Sequence, residues 1–331
     1  MAGATASSEN GPGVTPLRYL PRVLFVLGKG GVGRSTVATA LATALAARGD
    51  RVLVFQWALS EAIAPWFGLP PAGIEPCEVA PRLYVANFRL DDSLRMYFVE
   101  HLRLGTFYRH VIHGSAVRRL VEAAPGIAEM MFLGHLCWLT TLAEKEAGLR
   151  FDRVMVDTPA SGHGTSLLDL PEPLGAMHVS GLLGSEMARV GQMMGDPAWT
   201  GAVVVSLPEE LAVEETLEVV PRATKSLGRP LVAAFVNRSA ARFVEDEANP
   251  AWLLALHDRV QPRVFDSLGG IQSDLAGRLG FERRLRDALR GATQHGTVSL
   301  DDQLALGSDG SPRGIVTALA GSLEALFAGA A

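Results

Sequence analysis

Lysine is nearly absent from this chain of 331 residues: it occurs at positions 29, 145 and 225 only, against 27 arginines. No run of Lys and Arg is present, and the net charge is -5. Surfaces for nucleic acid or anionic membrane are built from clustered positive charge, so neither partner is announced. Cysteine is equally sparse. Cys77 and Cys137 lie far apart and outside any C-x-x-C spacing, which gives neither a disulfide framework nor a zinc site; two buried thiols in a reducing compartment are expected. No apolar run approaches the roughly 18 residues that a membrane-spanning helix needs. The longest candidate, around "EMMFLGHLCWLTTLAE", is interrupted by His135 and flanked by charge. The opening "MAGATASSENGPGVTP" has no basic start and no apolar core, so it is no secretory signal and residues 1–20 read as a disordered tail. A cytoplasmic protein with no direct membrane insertion is the expectation.

What is present is ample apolar material, 48% of the residues, enough for a large core. Short β-branched runs alternate with helix-length segments: "RVLFVL" at 22–27, "RVLVFQ" at 51–56, "RLYVANF" at 82–88, "FDRVMVD" at 151–157, "GAVVVSL" at 201–207 and "LVAAFVN" at 231–237. Near-continuous apolar strands of this kind belong to parallel sheets covered on both faces, so the fold class is α/β, a doubly wound parallel sheet. The rhythm breaks at about residues 90–148, which carry helical periodicity, and again at about 172–195, which contains Met177, Met187, Met193 and Met194. Both read as helical insertions into one domain over residues 21–331. Core packing and an adaptable client surface explain these methionines equally well. From Ala251 the chain becomes helical and Arg/Leu-rich, and it closes on the helix "IVTALAGSLEALFA".

The first strand runs into "LGKGGVGRST", Leu27 to Thr36, and an alanine-rich helix follows. Strand, glycine turn and helix N-terminus aim backbone N–H groups and a positive dipole end at one point, the arrangement of a phosphate loop. Gly28, Lys29, Gly30, Gly31, Val32, Gly33, Arg34, Ser35 and Thr36 are therefore the candidate nucleotide-binding residues, with Ser35 offering a hydroxyl to Mg²⁺. A ligand-free glycine turn is the alternative reading. One position departs from G-x-x-x-x-G-K-[ST]: Arg34 stands where a lysine reaches the β- and γ-phosphates. It keeps a charge but presents a bulkier, planar head. Asp157 ends a buried strand before Thr-Pro and a glycine-bearing loop, as a Mg²⁺-water ligand beside a phosphate-sensing switch requires.

"KGGVGRST" taken with "DTPASGHGTSLLDLP" resembles the family of arsenical pump-driving ATPases and their tail-anchored-protein-targeting relatives, within the SIMIBI class of P-loop proteins. Asp157, Thr158, Gly162, His163, Leu167, Leu168, Leu170 and Pro171 match the family's second switch. "RLYVANFRLDD", "APGIAEMMFL" and the segment leading to "VAAFVNR" resemble further family stretches, so the similarity spans about Arg22 to Arg238. The resemblance implies ATP and Mg²⁺ as cofactors, Lys29, Arg34 and Asp157 as the catalytic group, Ser35 and Asp157 at the metal, and Asn237 at the adenine. It also implies a dimer, homomeric or formed with a paralogous ATPase, in which Lys29 reaches the partner's phosphates. A protein client or membrane pump component is the implied further partner.

Two departures stand out. Where the family carries a first switch, D-P-A-H, whose acid positions the attacking water, this chain has "VFQWALSEAIAPWFG", with Gln56, Trp57 and Ala58 where the acid should begin. Glu61 is the nearest carboxylate, and its place at a helix start reads as ordinary capping. The family's zinc-binding cysteine pair is also missing, so no zinc-clamped dimer is implied. The expectation is a nucleotide-gated ATPase with weak hydrolysis of its own; the alternative is a degenerate regulatory or scaffold subunit beside an active paralogue. The chromosome-partition and septum-site branch of the class shares the loop but relies on basic or amphipathic surfaces. A nitrogenase-iron-protein-like role requires cluster cysteines, for which two scattered cysteines offer no site.

Overall fold

The structure, a computed structural model, describes residues 20–96, 126–159, 163–169, 182–239, 262–303 and 309–327. Almost all of the expected N-terminal tail, residues 97–125 and 172–181 of the two expected helical stretches, and Gly162, Leu170, Pro171 and Met177 lie outside these.

Eight strands form one sheet in the order β3-β4-β2-β5-β1-β6-β7-β8. They are β1 (Val23–Leu27), β2 (Val52–Gln56), β3 (Cys77–Ala80), β4 (Leu83–Asn87), β5 (Arg153–Asp157), β6 (Thr200–Ser206), β7 (Ala233–Ser239) and β8 (Thr297–Asp301). Every pairing is parallel except β3 with β4. The six strands anticipated in the sequence are all present, and the antiparallel edge β3 and the far edge β8 are additions. Neither edge has the apolar run that marks a central strand, because each packs fully on one side only. Cys77 lies on that β3 edge and is only partly buried, correcting the expectation of two buried thiols, whereas Cys137 is buried.

Strand alternation divides the core. Leu24 and Val26 of β1, with Val52 and Val54 of β2, face one layer, while Val23, Phe25, Leu27, Leu53 and Phe55 face the other; this is the period of two of a pleated strand. The first layer is built on α1 (Arg34–Ala47) and α10 (Pro312–Phe327). Ala38, Ala40, Ala42 and Ala44 of α1 are fully buried, since small side chains let α1 lie close to both sheet and helix. The second layer holds α4 (Ile127–Thr141), α6 (His163–Asp169), α7 (Leu182–Gly195) and α8 (Glu210–Leu227). Met193 and Met194 of α7 are buried in this layer, so core packing accounts for those two methionines. The remaining helices are α2 (Ile63–Trp66), α3 (Leu90–Met96), α5 (Ala143–Ala147) and α9 (Pro262–Ala288).

β1 lies between β5 and β6, and chain order reverses about it. Loops leaving the carboxyl ends of β1 and its neighbours diverge there, which is where doubly wound sheets open a ligand crevice. Among the described residues no helix is long and apolar enough to cross a membrane.

Candidate functional site

The glycine loop leaves β1 in conformations that side chains resist. Gly28, Gly31 and Gly33 have φ of 144°, 86° and 89°. A Cβ on Gly28 would lie 2.4 Å from the Val205 carbonyl oxygen, and one on Gly33 would lie 2.3 Å from Asn237 Nδ2. Both positions therefore need glycine for φ and for space. Gly33 is also the N-cap of α1, and neither a capping side chain nor a first-turn acid is present. The first N–H groups of α1 and the positive end of its dipole are thus left for an anion. Gly30 and Gly31 are exposed, Val32 is buried, and Ser35 and Thr36 are half-buried.

Asn237, at the end of β7, donates from Nδ2 to the Val32 carbonyl at 2.9 Å, and its Oδ1 accepts the Arg238 N–H at 3.0 Å. Both ends of the amide are engaged with backbone, so in this structure the residue holds the phosphate loop. The resemblance alone pointed to adenine.

Asp157 is the centre of the site. Ser35 Oγ donates to its Oδ2 at 2.6 Å, and Gln56 Nε2 donates to the same oxygen at 2.8 Å. Gln56 and Asp157 are register partners on neighbouring parallel strands, which explains why a β2 residue can serve a β5 acid. The other carboxylate oxygen, Oδ1, is buried without a protein partner, as is Gln56 Oε1. A hydroxyl and an orphaned carboxylate oxygen are hard donors that fit Mg²⁺. Among the described residues no group of three or more His, Cys, Asp or Glu could hold a metal by itself, in keeping with a cation that phosphate oxygens and water would share.

Arg34 takes a path the sequence did not disclose. Its Nη1 donates to the Thr158 carbonyl, to Thr158 Oγ1 at 3.1 Å and to the Pro159 carbonyl at 2.8 Å. Thr158 Oγ1 in turn donates to the Val26 carbonyl at 2.8 Å, tying the start of the second switch to β1. Burial pushes the Arg34 guanidinium below the usual arginine range, and the Asp157 carboxylate pulls the other way. Lys29 pairs with Glu215 on α8, each side chain about two-fifths exposed.

The stretch after β2, where the resemblance expects a first switch, is held by other contacts. Asn87, at the end of β4, accepts the Ala58 N–H and donates to the Ala58 carbonyl, both at 3.0 Å. The Trp57 ring stacks on Phe132 of α4 with centroids 5.4 Å apart and meets Phe88 edge-on at 5.2 Å. Glu61 is 5% exposed, and its oxygens accept the N–H groups of Ile63 at 2.5 Å, Ala64 at 2.9 Å and Ala72 at 2.8 Å. The capping role expected of Glu61 is what the structure displays. Asn87 and Glu215 were not singled out from sequence. A polar residue closing the otherwise apolar "LYVAN" was the available signal for Asn87, and Glu215 gave none.

A phosphate cradle at the switch point of a doubly wound sheet is the mark of the P-loop nucleotide-binding class, and this protein is one of that class. Comparison with known proteins narrows it. The family described as anion-transporting ATPase matches residues 21–180. ATPase BagA of Mycobacterium tuberculosis is 27% identical over 254 residues, covering 75% of this chain and 74% of that protein. ATPase ARSA2 of Chlamydomonas reinhardtii is 28% identical, covering 64% and 58%. The arsenical pump-driving ATPase of Escherichia coli is 24% identical, covering 79% of this chain but 46% of its own length. These matches, over residues 21–180 for the family and at 24–28% identity for the relatives, support a divergent member of the ArsA-like ATPase family.

Proposed function

We propose that this protein is a Mg²⁺-dependent, ATP-binding switch that works as a dimer and hydrolyses ATP slowly when alone. The observation that carries the reading is the stretch resembling the first switch: Gln56, Trp57 and Ala58 stand where an acid would begin, and Glu61, the nearest carboxylate, accepts three backbone N–H groups. Water at the γ-phosphate then lacks its positioning group, and in-line attack loses the advantage of a held nucleophile. The cradle of Gly28, Gly30, Gly31, Val32 and Gly33 with Thr36 would take the phosphates, and Ser35 and Asp157 the Mg²⁺, which supplies charge neutralisation between the phosphate groups. An adenine contact from Asn237 would use its second amide hydrogen or its remaining Oδ1 lone pair.

Lys29 is the residue offered to a partner subunit. Its bond to Glu215 is an exposed ion pair of the kind worth about 0–1 kcal/mol, so it is readily exchanged for a phosphate on a facing subunit. Relatives named as arsenical pump-driving ATPases favour a pump component as the further partner; a protein client is the alternative partner in this reading, and the cytoplasm its place. The second reading, a regulatory subunit paired with an active paralogue, draws on Arg34 and on the missing acid at Gln56, Trp57 and Ala58.

Steady-state phosphate release, with light scattering in ATP and in ADP, tests these readings. Slow turnover with ATP-favoured dimers is expected. Rapid turnover by the isolated chain removes both the slow-switch reading and the regulatory one. No binding of ATP with Mg²⁺ removes the nucleotide reading altogether. Stimulation only by an added paralogue selects the heterodimer.

A further inference from the structure

We propose that Arg34 is a two-sided ligand: one guanidinium nitrogen fastens the second switch while its remaining donors take the phosphate chain, so that nucleotide occupancy is read directly by the Thr158–Pro159 backbone. The proposal rests on the nucleotide reading above and gives the arginine a function in place of a defect.

The geometry argues it in three steps. A Cβ on Gly28 would lie 3.4 Å from Arg34 Cδ, so the side-chain stem runs along the loop itself before its head reaches the second switch. The head carries five N–H donors in one rigid plane, yet all its hydrogen bonds among the described residues come from Nη1. The donors on Nε and Nη2 belong to a group that spans loop and switch, and none appears among the buried polar atoms left without a partner. Lastly, Arg34 opens α1, whose N-terminus has neither a capping side chain nor a first-turn acid. An anion drawn to that helix end meets the guanidinium there, and phosphate matches a planar fork.

Lysine couples the two less rigidly. Its three ammonium donors radiate from one point on a flexible stem, so it can touch phosphate and switch carbonyl together but holds neither in a fixed plane relative to the other. The consequence for this chain is a second switch restrained before nucleotide arrives and rearranged when phosphate draws on the same head.

Hydrogen exchange of the full chain, followed in peptides covering residues 153–169, tests this with ATP, ADP and AMP in the presence of Mg²⁺. In the native protein, ATP and ADP are expected to change exchange in this segment, and AMP, without a β-phosphate, is not. Arg34→Lys is expected to bind ATP within about tenfold of the native affinity, the worth of roughly one hydrogen bond. It should exchange faster in this segment without nucleotide and lose the nucleotide-dependent change. Native-like coupling in Arg34→Lys overturns the proposal, as does tighter ATP binding with coupling intact, which would mean the arginine only obstructs. Should Arg34→Lys fail to fold, the native comparison decides, because an equal response to AMP and ATP also overturns it. Absence of any nucleotide binding by the native chain overturns the nucleotide reading together with this proposal, whereas binding without coupling overturns this proposal alone.

Discussion

Glu61→Gln separates a structural carboxylate from a catalytic one. The native side chain is 5% exposed and accepts three backbone N–H groups, two on Oε1 and one on Oε2. The substitution keeps size and shape but leaves one acceptor oxygen. If that oxygen keeps Ile63 and Ala64, the new NH₂ group faces the Ala72 N–H, and a donor is buried without an acceptor at a cost of about 1–3 kcal/mol. The two bonds that survive lose their charge assistance, and relief from burying a carboxylate offsets part of the total. A net loss of about 2–4 kcal/mol follows, a drop in unfolding temperature on the order of 5 °C for a chain of this size. Thermal unfolding by circular dichroism, paired with phosphate release per folded molecule and MgATP affinity, is the assay. The loss should appear in unfolding, with the other two quantities unchanged. A native unfolding temperature with phosphate release lowered tenfold or more would refute the reasoning and make Glu61 the replacement acid.

Gly33→Ala places a methyl 2.3 Å from Asn237 Nδ2 at a φ of 89°, so about 2–3 kcal/mol of stability should be lost from left-handed strain and the displaced hydrogen bond. Urea unfolding measures this, and Asn237→Ala in the same chain should restore part of it; simple additivity would count against the clash. Ser35→Ala removes the 2.6 Å hydrogen bond to Asp157 and should abolish most of the gain in ATP affinity on adding Mg²⁺, read by titration with and without EDTA. An unchanged gain would take Ser35 out of the metal site. Burial pushes the His295 imidazole below its ordinary value of 6.5, so below that pH the unfolded chain binds the proton more readily than the folded one. Stability should therefore fall as pH drops through about 6.5, and His295→Gln should lessen the fall; identical pH profiles for both chains would exclude His295 as a contributor.

Much of the fold was legible because central parallel strands are buried on both faces and write themselves as apolar runs. The edges were not: β3, with its "CEVA", and β8, with its "TVSLD", alternate weakly, since one flank of each has no neighbour to satisfy. The phosphate loop was legible for a different reason. Its chemistry is local, and Gly28, Gly31 and Gly33 are demanded by backbone angles that adjacent residues impose. The resemblance to ArsA-like ATPases, now supported by the family match over residues 21–180, rested on these local patterns.

Side-chain direction was not legible in the same way. From sequence Arg34 was a phosphate ligand of altered shape, and only the distance to Thr158 and Pro159, more than a hundred positions away, shows where its head goes. Asn237 reaches Val32 across a separation of 205 residues, and Gln56 meets Asp157 because β2 and β5 pair in register. Met193 and Met194 were open between surface and core until the sheet face beneath α7 fixed them inside. The sequence by itself therefore determined the α/β class and the glycine loop, both of which depend on neighbours along the chain. Tertiary structure alone decided what Arg34, Asn237 and Lys29 hold, because a hydrogen bond needs its acceptor within about 3 Å, and only the folded sheet brings those acceptors so near.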